Sequence, residues 1–228
     1  MEATGTGAFF VTKEAIKDLG LTKNESIAVQ GFGDVGCTVA KLLYNEGFKV
    51  IAVSDIKGGI YSKEGLDIEK LSKYVENTGF VTDFPETVEI TNEDLLEINC
   101  DILIPAAIQS VITDKNADKV KAKLIIEGAN GPTTTEAEKI FEEKGVTIIP
   151  DVLANCGGAI VCSFERTQGL TDTYWDLETV NKKLKKRILK AYKETFATAK
   201  EKDTSFRNAA WMNALIKISK AMKARGWM

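Results

Sequence analysis

From residue 26 to about residue 150, short apolar runs alternate with segments whose apolar residues recur at helical spacing. Continuous apolar runs are typical of strands covered on both faces, and the segments between them are typical of helices. The alternation therefore predicts an α/β fold with a mostly parallel sheet and helices on both faces. The predicted strands lie near 27–31, 48–54, 101–104, 124–126 and 146–149. The predicted helices lie near 34–46, 66–75, 113–120 and 135–144.

The two ends of the chain are predicted to be helical. Residues 178–228 should form a C-terminal helical extension, and residues 1–20 an amphipathic helix packed on the sheet. We expect residues 1–228 to be a single domain that includes both. The apolar stripe of the N-terminal helix is Phe9, Val11, Ala15, Ile16 and Leu19. Those of the extension are Val180, Leu184, Ile188, Leu189 and Tyr192, then Ala210, Leu215, Ile218 and Met222.

A glycine-rich turn follows the first predicted strand. Gly31 allows a tight turn, Gly33 lets the backbone approach a pyrophosphate, and Gly36 lets the next helix pack closely. That helix, starting near Asp34, would aim its free N–H groups at phosphates. Asp55 ends the next strand, where a carboxylate can accept both ribose hydroxyls. Together these features predict a Rossmann-type, doubly wound dinucleotide-binding fold, with a purely structural turn as the alternative.

Composition narrows the function classes. The chain has 228 residues, is 44% hydrophobic and carries a net charge of −3, so no basic face invites nucleic acid. The basic run 182–187 is interleaved with apolar residues, which favours a solvated helix face over a phosphate patch. No apolar run is long enough to span a membrane, and the N-terminus does not look like a signal peptide. We expect a cytoplasmic protein without membrane or nucleic-acid partners.

The chain has no histidine and four cysteines without C-x-x-C spacing. Zinc sites built on cysteine and histidine are therefore not expected, nor are catalytic mechanisms that use a histidine base. We expect no metal site and four reduced, buried thiols. Any chemistry needs lysine, aspartate, glutamate or a cofactor.

The segments after the later strands should meet at the carboxyl edge of the sheet, where doubly wound folds bind ligands. They are Pro105–Ala107, Glu127–Pro132 and Pro150–Asn155. This edge is the predicted cofactor and substrate face.

Motifs along essentially the whole chain resemble the glutamate/leucine/phenylalanine/valine dehydrogenase family, and most closely its glutamate dehydrogenases. They follow the order of the family. The motifs are Glu2–Gly5, Gly31–Gly36, Ala52–Asp55, Ile104–Ala107, Glu127–Thr134, Pro150–Asn155, Gly157–Gly158 and Arg225–Trp227.

The resemblance implies oxidative deamination of an amino acid, L-glutamate, to 2-oxoglutarate and ammonium, or the reverse, with NAD or NADP as cofactor. It implies a homo-oligomer for the full enzyme. It also assigns site residues by position. The turn and pyrophosphate residues are Gly31, Phe32, Gly33, Asp34, Val35 and Gly36, and Asp55 binds the ribose. The nicotinamide side is Thr4, Ala106, Ala107, Asn130 and Asn155. Asn155, Cys162 and Ser163 are the substrate-side residues.

The family's other domain, which supplies the catalytic lysine and aspartate, has no counterpart here. We therefore expect no catalytic residue in this chain and dinucleotide binding without turnover. Three interpretations are consistent with an enzyme: the chain is an isolated cofactor domain, an excised fragment or one piece of a split enzyme. A free-standing nucleotide sensor without catalysis is the alternative.

Three positions bear on binding and specificity. Many relatives have asparagine in place of Asp34, whose carboxylate repels phosphate unless it caps its own helix, and we favour the cap. Asn155 fits a helix N-cap equally well, and the two roles are compatible. Cys162 stands at the family serine that binds the substrate side-chain carboxylate, with Ser163 turned away by about 100°. Arg166 and Arg187 offer charge there, although we expect them to form surface ion pairs.

Asp55 also bears on cofactor choice. Its charge repels the 2′-phosphate of NADP and so favours NAD, whereas the nearby Lys57 can offset that charge. NAD is the predicted cofactor, and NADP remains an open alternative.

Overall fold

The computed structural model describes residues 2–227, and a seven-stranded sheet forms its centre. The strand order is β4-β3-β2-β1-β5-β6-β7. β3 runs antiparallel to both of its neighbours, and all other adjacent pairs are parallel. The strands are β1 (Ser26–Gln30), β2 (Lys49–Ser54), β3 (Gly59–Tyr61), β4 (Val88–Ile90), β5 (Ile102–Pro105), β6 (Leu124–Ile126) and β7 (Thr147–Ile149).

Helices surround this sheet and extend beyond it at the C-terminal end. They are α1 (Ala3–Asp18), α2 (Asp34–Asn45), α3 (Ile68–Thr78), α4 (Asn92–Glu97), α5 (Thr135–Lys144), α6 (Asp151–Ala154), α7 (Gly157–Thr171), α8 (Leu177–Lys202) and α9 (Phe206–Ala224). Many begin where a short polar side chain accepts a hydrogen bond from a free backbone N–H of the first turn. These caps are Asp67, Thr91, Thr134, Asp176 and Ser205.

Alternate residues of the central strands enter two different cores. In β1, Ile27 and Val29 pack with α1, α2 and α8, whereas Ala28 packs with α4 and α5 on the opposite face. β5 repeats the division, with Ile102 and Ile104 on one side and Leu103 on the other. Because side chains alternate across a strand, a run that is apolar at every position is the pattern of a sheet covered on both faces. The predicted doubly wound α/β fold is confirmed.

The five predicted strands are all present within one or two residues, but part of the helix prediction is wrong. Segment 113–120 contains only a single 3₁₀ turn at 117–119. Asn116 explains this, because its side chain accepts from the Thr113 N–H at 2.8 Å and donates to the Val111 carbonyl at 2.8 Å. These bonds hold residues 111–116 as a loop, and the backbone is extended again at Val120, which leaves a single turn between them. The pattern also missed β3, β4, α4 and the short helix α6.

The terminal helices bury the apolar stripes predicted for them, except on one face of α9. In α1 all stripe residues but Leu19 are buried, and in α8 Leu189 is half-buried and the others are buried. In contrast, α9 exposes most of its apolar side chains. Within the described residues, the large ones among these exposed side chains are Trp211, Met212, Leu215, Ile216 and Ile218.

Over residues 2–227, no helix combines the length and apolar character needed to cross a bilayer.

Candidate functional site

The carboxyl ends of the five parallel strands β1, β2, β5, β6 and β7 bring the predicted site residues to one edge of the sheet. The glycine turn follows β1 and Asp55 follows β2. Ala106 and Ala107 follow β5, and Asn130 lies in the loop after β6. Since β1 lies between β2 and β5, the turn separates the Asp55 side of this edge from the Asn130 side.

The turn after β1 requires glycine at two positions. Gly31 has a φ of 90°, and a Cβ there would lie 2.9 Å from the backbone of Ala106 and Ala107. A Cβ on Gly36 would lie 1.7 Å from the Gly31 carbonyl oxygen. Both glycines therefore shape the turn itself, and no larger residue fits without moving the backbone.

Gly33 differs, because its surroundings are open. A Cβ there would meet no atom of residues 2–227 within 4 Å. Gly33 is the N-cap of α2, and in this part of the chain the N–H groups of Asp34, Val35 and Gly36 have no hydrogen-bond acceptor. An open surface in front of free N–H groups, at the positive end of a helix, is an anion-binding arrangement.

One detail of this turn differs from the expectation. Asp34 does not cap α2, since it occupies the first helical position and its exposed side chain accepts no capping bond. The cap position belongs to Gly33, whose extended backbone already starts the helix. The side chain of Phe32 is buried in the core under the turn, so only its backbone faces the edge.

Asp55 is held firmly at the end of β2. Its Oδ1 accepts from the Lys57 N–H at 2.7 Å, and its Oδ2 accepts from the Val81 N–H at 2.6 Å. Each carboxylate oxygen keeps a second lone pair, so two hydroxyl donors can still be accepted. The Lys57 ammonium lies 3.5 Å from the centre of the Phe80 ring, and Ile56 is 90% exposed.

The opposite half of the edge joins three segments. The amide Nδ2 of Asn155 donates to Asn130 Oδ1 at 2.8 Å, which links the loop after β6 to the loop after β7. Thr4 of α1 lies against the start of α7, because a Cβ on Gly158 would lie 2.7 Å from its hydroxyl, and α7 begins two residues after Asn155. Asn155 does not cap a helix N-terminus. It is the C-cap of α6, and Cys156 occupies the N-cap position of α7.

The substrate-side candidates Cys162 and Ser163 face different surroundings. Cys162 is exposed, whereas the Ser163 hydroxyl donates to the Ile160 carbonyl at 2.6 Å and accepts from Arg187 Nη1 at 2.9 Å. The expected surface ion pairs are wrong, since within the described residues neither Arg166 nor Arg187 contacts a carboxylate. Ser163 therefore points at α8 and leaves Cys162 as the accessible side chain.

All four cysteines are free, but the expectation that they are buried holds only for Cys100. Burial raises the pKa of the Cys100 thiol to about 12, which keeps it protonated. Cys37 and Cys156 are half-buried, and Cys162 lies on the outer face of α7. Across residues 2–227, the His, Cys, Asp and Glu side chains form no group of three that could hold a metal ion.

One cluster behind the edge was missed from the sequence. Arg207, at the start of α9, contacts the carboxylates of Glu127, Glu138 and Asp151. Glu127 is 0% exposed; burial raises its pKa, and the Arg207 charge opposes that rise. Arg207 lies 80 residues from Glu127 along the chain, so no local pattern joins the two. The only available signal was the charge of Glu127 itself, directly after a buried strand.

Comparisons with known proteins give one consistent result. The Glutamate/Leucine/Phenylalanine/Valine dehydrogenase family matches residues 1–226. An NAD-specific glutamate dehydrogenase of Bacillus subtilis is 42% identical over 99% of this chain and 53% of its own length. An NADP-specific one of Synechocystis is 40% identical over 98% of this chain and 55% of its own length.

Among solved structures, the glutamate dehydrogenase of Peptoniphilus asaccharolyticus superimposes with a TM-score of 0.85 at 35% identity. It covers 100% of this chain, which in turn covers 54% of that protein. The chain therefore spans about half the length of the relatives it matches.

Proposed function

The chain belongs to the glutamate/leucine/phenylalanine/valine dehydrogenase family, and we propose that it binds NAD(H) as the cofactor half of a glutamate dehydrogenase. The observation that carries the proposal is the open surface at Gly33, in front of the free N–H groups of α2. The pyrophosphate of a dinucleotide fits this surface, because the donors have no partner in residues 2–227 and a side chain would fill the space. The exposed Asp34 carboxylate caps no helix and repels the phosphates, so the free N–H groups have to outweigh its charge.

We place the adenosine end of the dinucleotide at Asp55. Its carboxylate is fixed by two backbone N–H groups and retains lone pairs for the ribose hydroxyls. Relatives include NAD-specific and NADP-specific enzymes, so family membership alone leaves the choice open. NAD is favoured because Asp55 repels a 2′-phosphate and the Lys57 ammonium packs on Phe80.

The nicotinamide end belongs beside Asn130 and Asn155, with Thr4, Ala106 and Ala107 around it. The cofactor, when bound, supplies the hydride acceptor or donor. The asparagine amides and the Thr4 hydroxyl are the polar groups that orient the ring and the adjoining substrate. By the family resemblance we assign the substrate side to Cys162 of α7, which is exposed.

The reaction we propose for the complete enzyme is oxidative deamination of L-glutamate to 2-oxoglutarate and ammonium, or its reverse. The chain spans about half the length of these relatives. By the family resemblance, the catalytic lysine and aspartate come from the other half. These 228 residues on their own then form a single binding unit that holds dinucleotide without turning over amino acid, and the complete enzyme is a homo-oligomer.

Calorimetric titration with NADH and NADPH tests the cofactor proposal. We expect saturable binding, tighter for NADH, and an Asp55→Ala variant should bind NADH at least about tenfold more weakly, because hydrogen bonds to a charged group contribute about 1.5–3 kcal/mol each. The difference between NADH and NADPH should shrink in that variant. Asp118→Ala is the matched control, since Asp118 lies just before β6, at the amino edge of the sheet. Unchanged NADH affinity in Asp55→Ala would contradict the assignment.

Complementation tests the enzymatic half of the proposal. A substrate-binding domain from one of the glutamate dehydrogenase relatives is mixed with this chain, and glutamate-dependent formation of NADH is followed by absorbance. We expect no turnover with either component alone and measurable turnover with both. Intact NADH binding with persistent inactivity of the mixture would favour a binding module without catalysis.

A further inference from the structure

The Arg207 guanidinium uses all three of its nitrogens to hold carboxylates from separate segments. Nη2 lies 2.7 Å from Glu127 Oε2, Nη1 lies 2.9 Å from Asp151 Oδ1, and Nε contacts Glu138. Glu127 follows β6, Asp151 follows β7, and Glu138 belongs to α5. One side chain of α9 therefore connects three elements on the Asn130 side of the carboxyl edge.

Two of these carboxylates also accept hydrogen bonds from the backbone of the loops after β6 and β7. Glu127 Oε2 also accepts from the Asp151 N–H at 2.8 Å, and Asp151 Oδ2 accepts from the Gly131 N–H at 2.8 Å. Gly131 adjoins Asn130, and Asp151 begins the short helix α6, whose C-cap is Asn155. The two loops that carry both asparagines are thus tied to Arg207 through charged hydrogen bonds.

Because Glu127 is buried, its contacts depend on the shape of the cation at position 207. Glu127 is fully buried, and a buried carboxylate that loses its partner is strongly disfavoured. A guanidinium presents its donors in a rigid plane, whereas an ammonium is a single point charge. Lysine at this position would keep the charge and lose the simultaneous contacts.

We propose that Arg207 is a positioning residue for the nicotinamide end of the dinucleotide, an inference that rests on the proposed function. Through Glu127 and Asp151 it sets the separation of the loops that carry Asn130 and Asn155. Its influence should not extend to Asp55, because β2 lies three strands from β6, about 14 Å at the usual strand spacing. A purely structural role would instead affect both ends of the ligand alike.

Calorimetry with NADH and with ADP-ribose, which lacks the nicotinamide, separates the two roles. In Arg207→Lys and Arg207→Met we expect NADH affinity to fall at least about tenfold, the loss of one charged hydrogen bond, and ADP-ribose affinity to stay within about twofold. Lys217→Met is the matched control, because it removes a cation from the same helix whose partner is Glu194 of α8. It should change neither affinity.

Equal weakening of both ligands, or no weakening of NADH, would overturn the inference. If Arg207→Met does not fold, Arg207→Lys is followed by amide hydrogen exchange in the free protein. Faster exchange at Gly131 and Asp151 with unchanged exchange at Cys37 of α2 supports the positioning role, and unchanged exchange at all three overturns it. Failure of the unaltered chain to bind either ligand would overturn the proposed function and this inference with it, a result visible without any variant.

Discussion

Replacing Gly33 by alanine is expected to weaken NADH binding by about a hundredfold or more while leaving the fold intact. The new methyl group meets no atom of residues 2–227 within 4 Å, and the backbone φ of −82° suits alanine. The same methyl group would occupy the space in front of the free N–H groups of α2. Loss of two charge-assisted hydrogen bonds, at about 1.5–3 kcal/mol each, corresponds to that loss of affinity.

Calorimetry of Gly33→Ala with NADH, beside a thermal unfolding curve, measures both parts of this expectation. Gly169→Ala is the matched control, since Gly169 is an exposed residue of α7 whose added Cβ also meets nothing within 4 Å. It should bind NADH like the unaltered chain. Normal affinity in Gly33→Ala would show that the pyrophosphate does not lie over this turn.

Replacing Gly36 by alanine is expected to destabilise the fold itself by about 3 kcal/mol or more. The added Cβ would lie 1.7 Å from the Gly31 carbonyl oxygen and 2.9 Å from its carbon, and neither backbone atom can rotate away as a side chain can. The direction of the change in stability identifies the steric clash as its cause, because alanine in place of glycine inside an unconstrained helix stabilises the fold by about 1 kcal/mol.

Urea unfolding with a constant m-value measures this change in the free energy of unfolding. Gly169→Ala again supplies the control, and it should shift the midpoint upward while Gly36→Ala shifts it downward. A Gly36→Ala chain as stable as the unaltered one would mean that the turn relaxes at no cost.

The fold could be predicted where the signal is local. β1, β5 and β6 are apolar at consecutive positions because both of their faces are covered, and such runs are visible in the sequence. β3 and β4 are as short as β6, but they read Gly-Ile-Tyr and Val-Glu-Ile and so lack the continuous apolar run that reveals β6. Segment 113–120 has helical spacing, but the Asn116 side chain bonds the backbone of Val111 and Thr113 in a loop, and the chain is extended again at Val120.

The candidate site, too, could be predicted only where its residues are close in sequence. The glycine turn and Asp55 are close in sequence, so their spacing carries the prediction. The capping roles expected of Asp34 and Asn155 were wrong because each helix starts at a neighbouring residue. The N-cap of α2 is Gly33, whose backbone is extended, and the N-cap of α7 is Cys156, whose backbone is helical. The contact between Arg207 and Glu127 joins residues that only the complete fold brings together.

Helix α9 combines two features that are otherwise separate. Its first turn holds the loops beside Asn130 and Asn155 through Arg207, and its outer face exposes Trp211 and Leu215 to solvent. Thermodynamic linkage then imposes a reciprocity. Any protein surface that covers α9 and changes dinucleotide affinity by some factor must itself be bound tighter or weaker by that same factor when the dinucleotide is present.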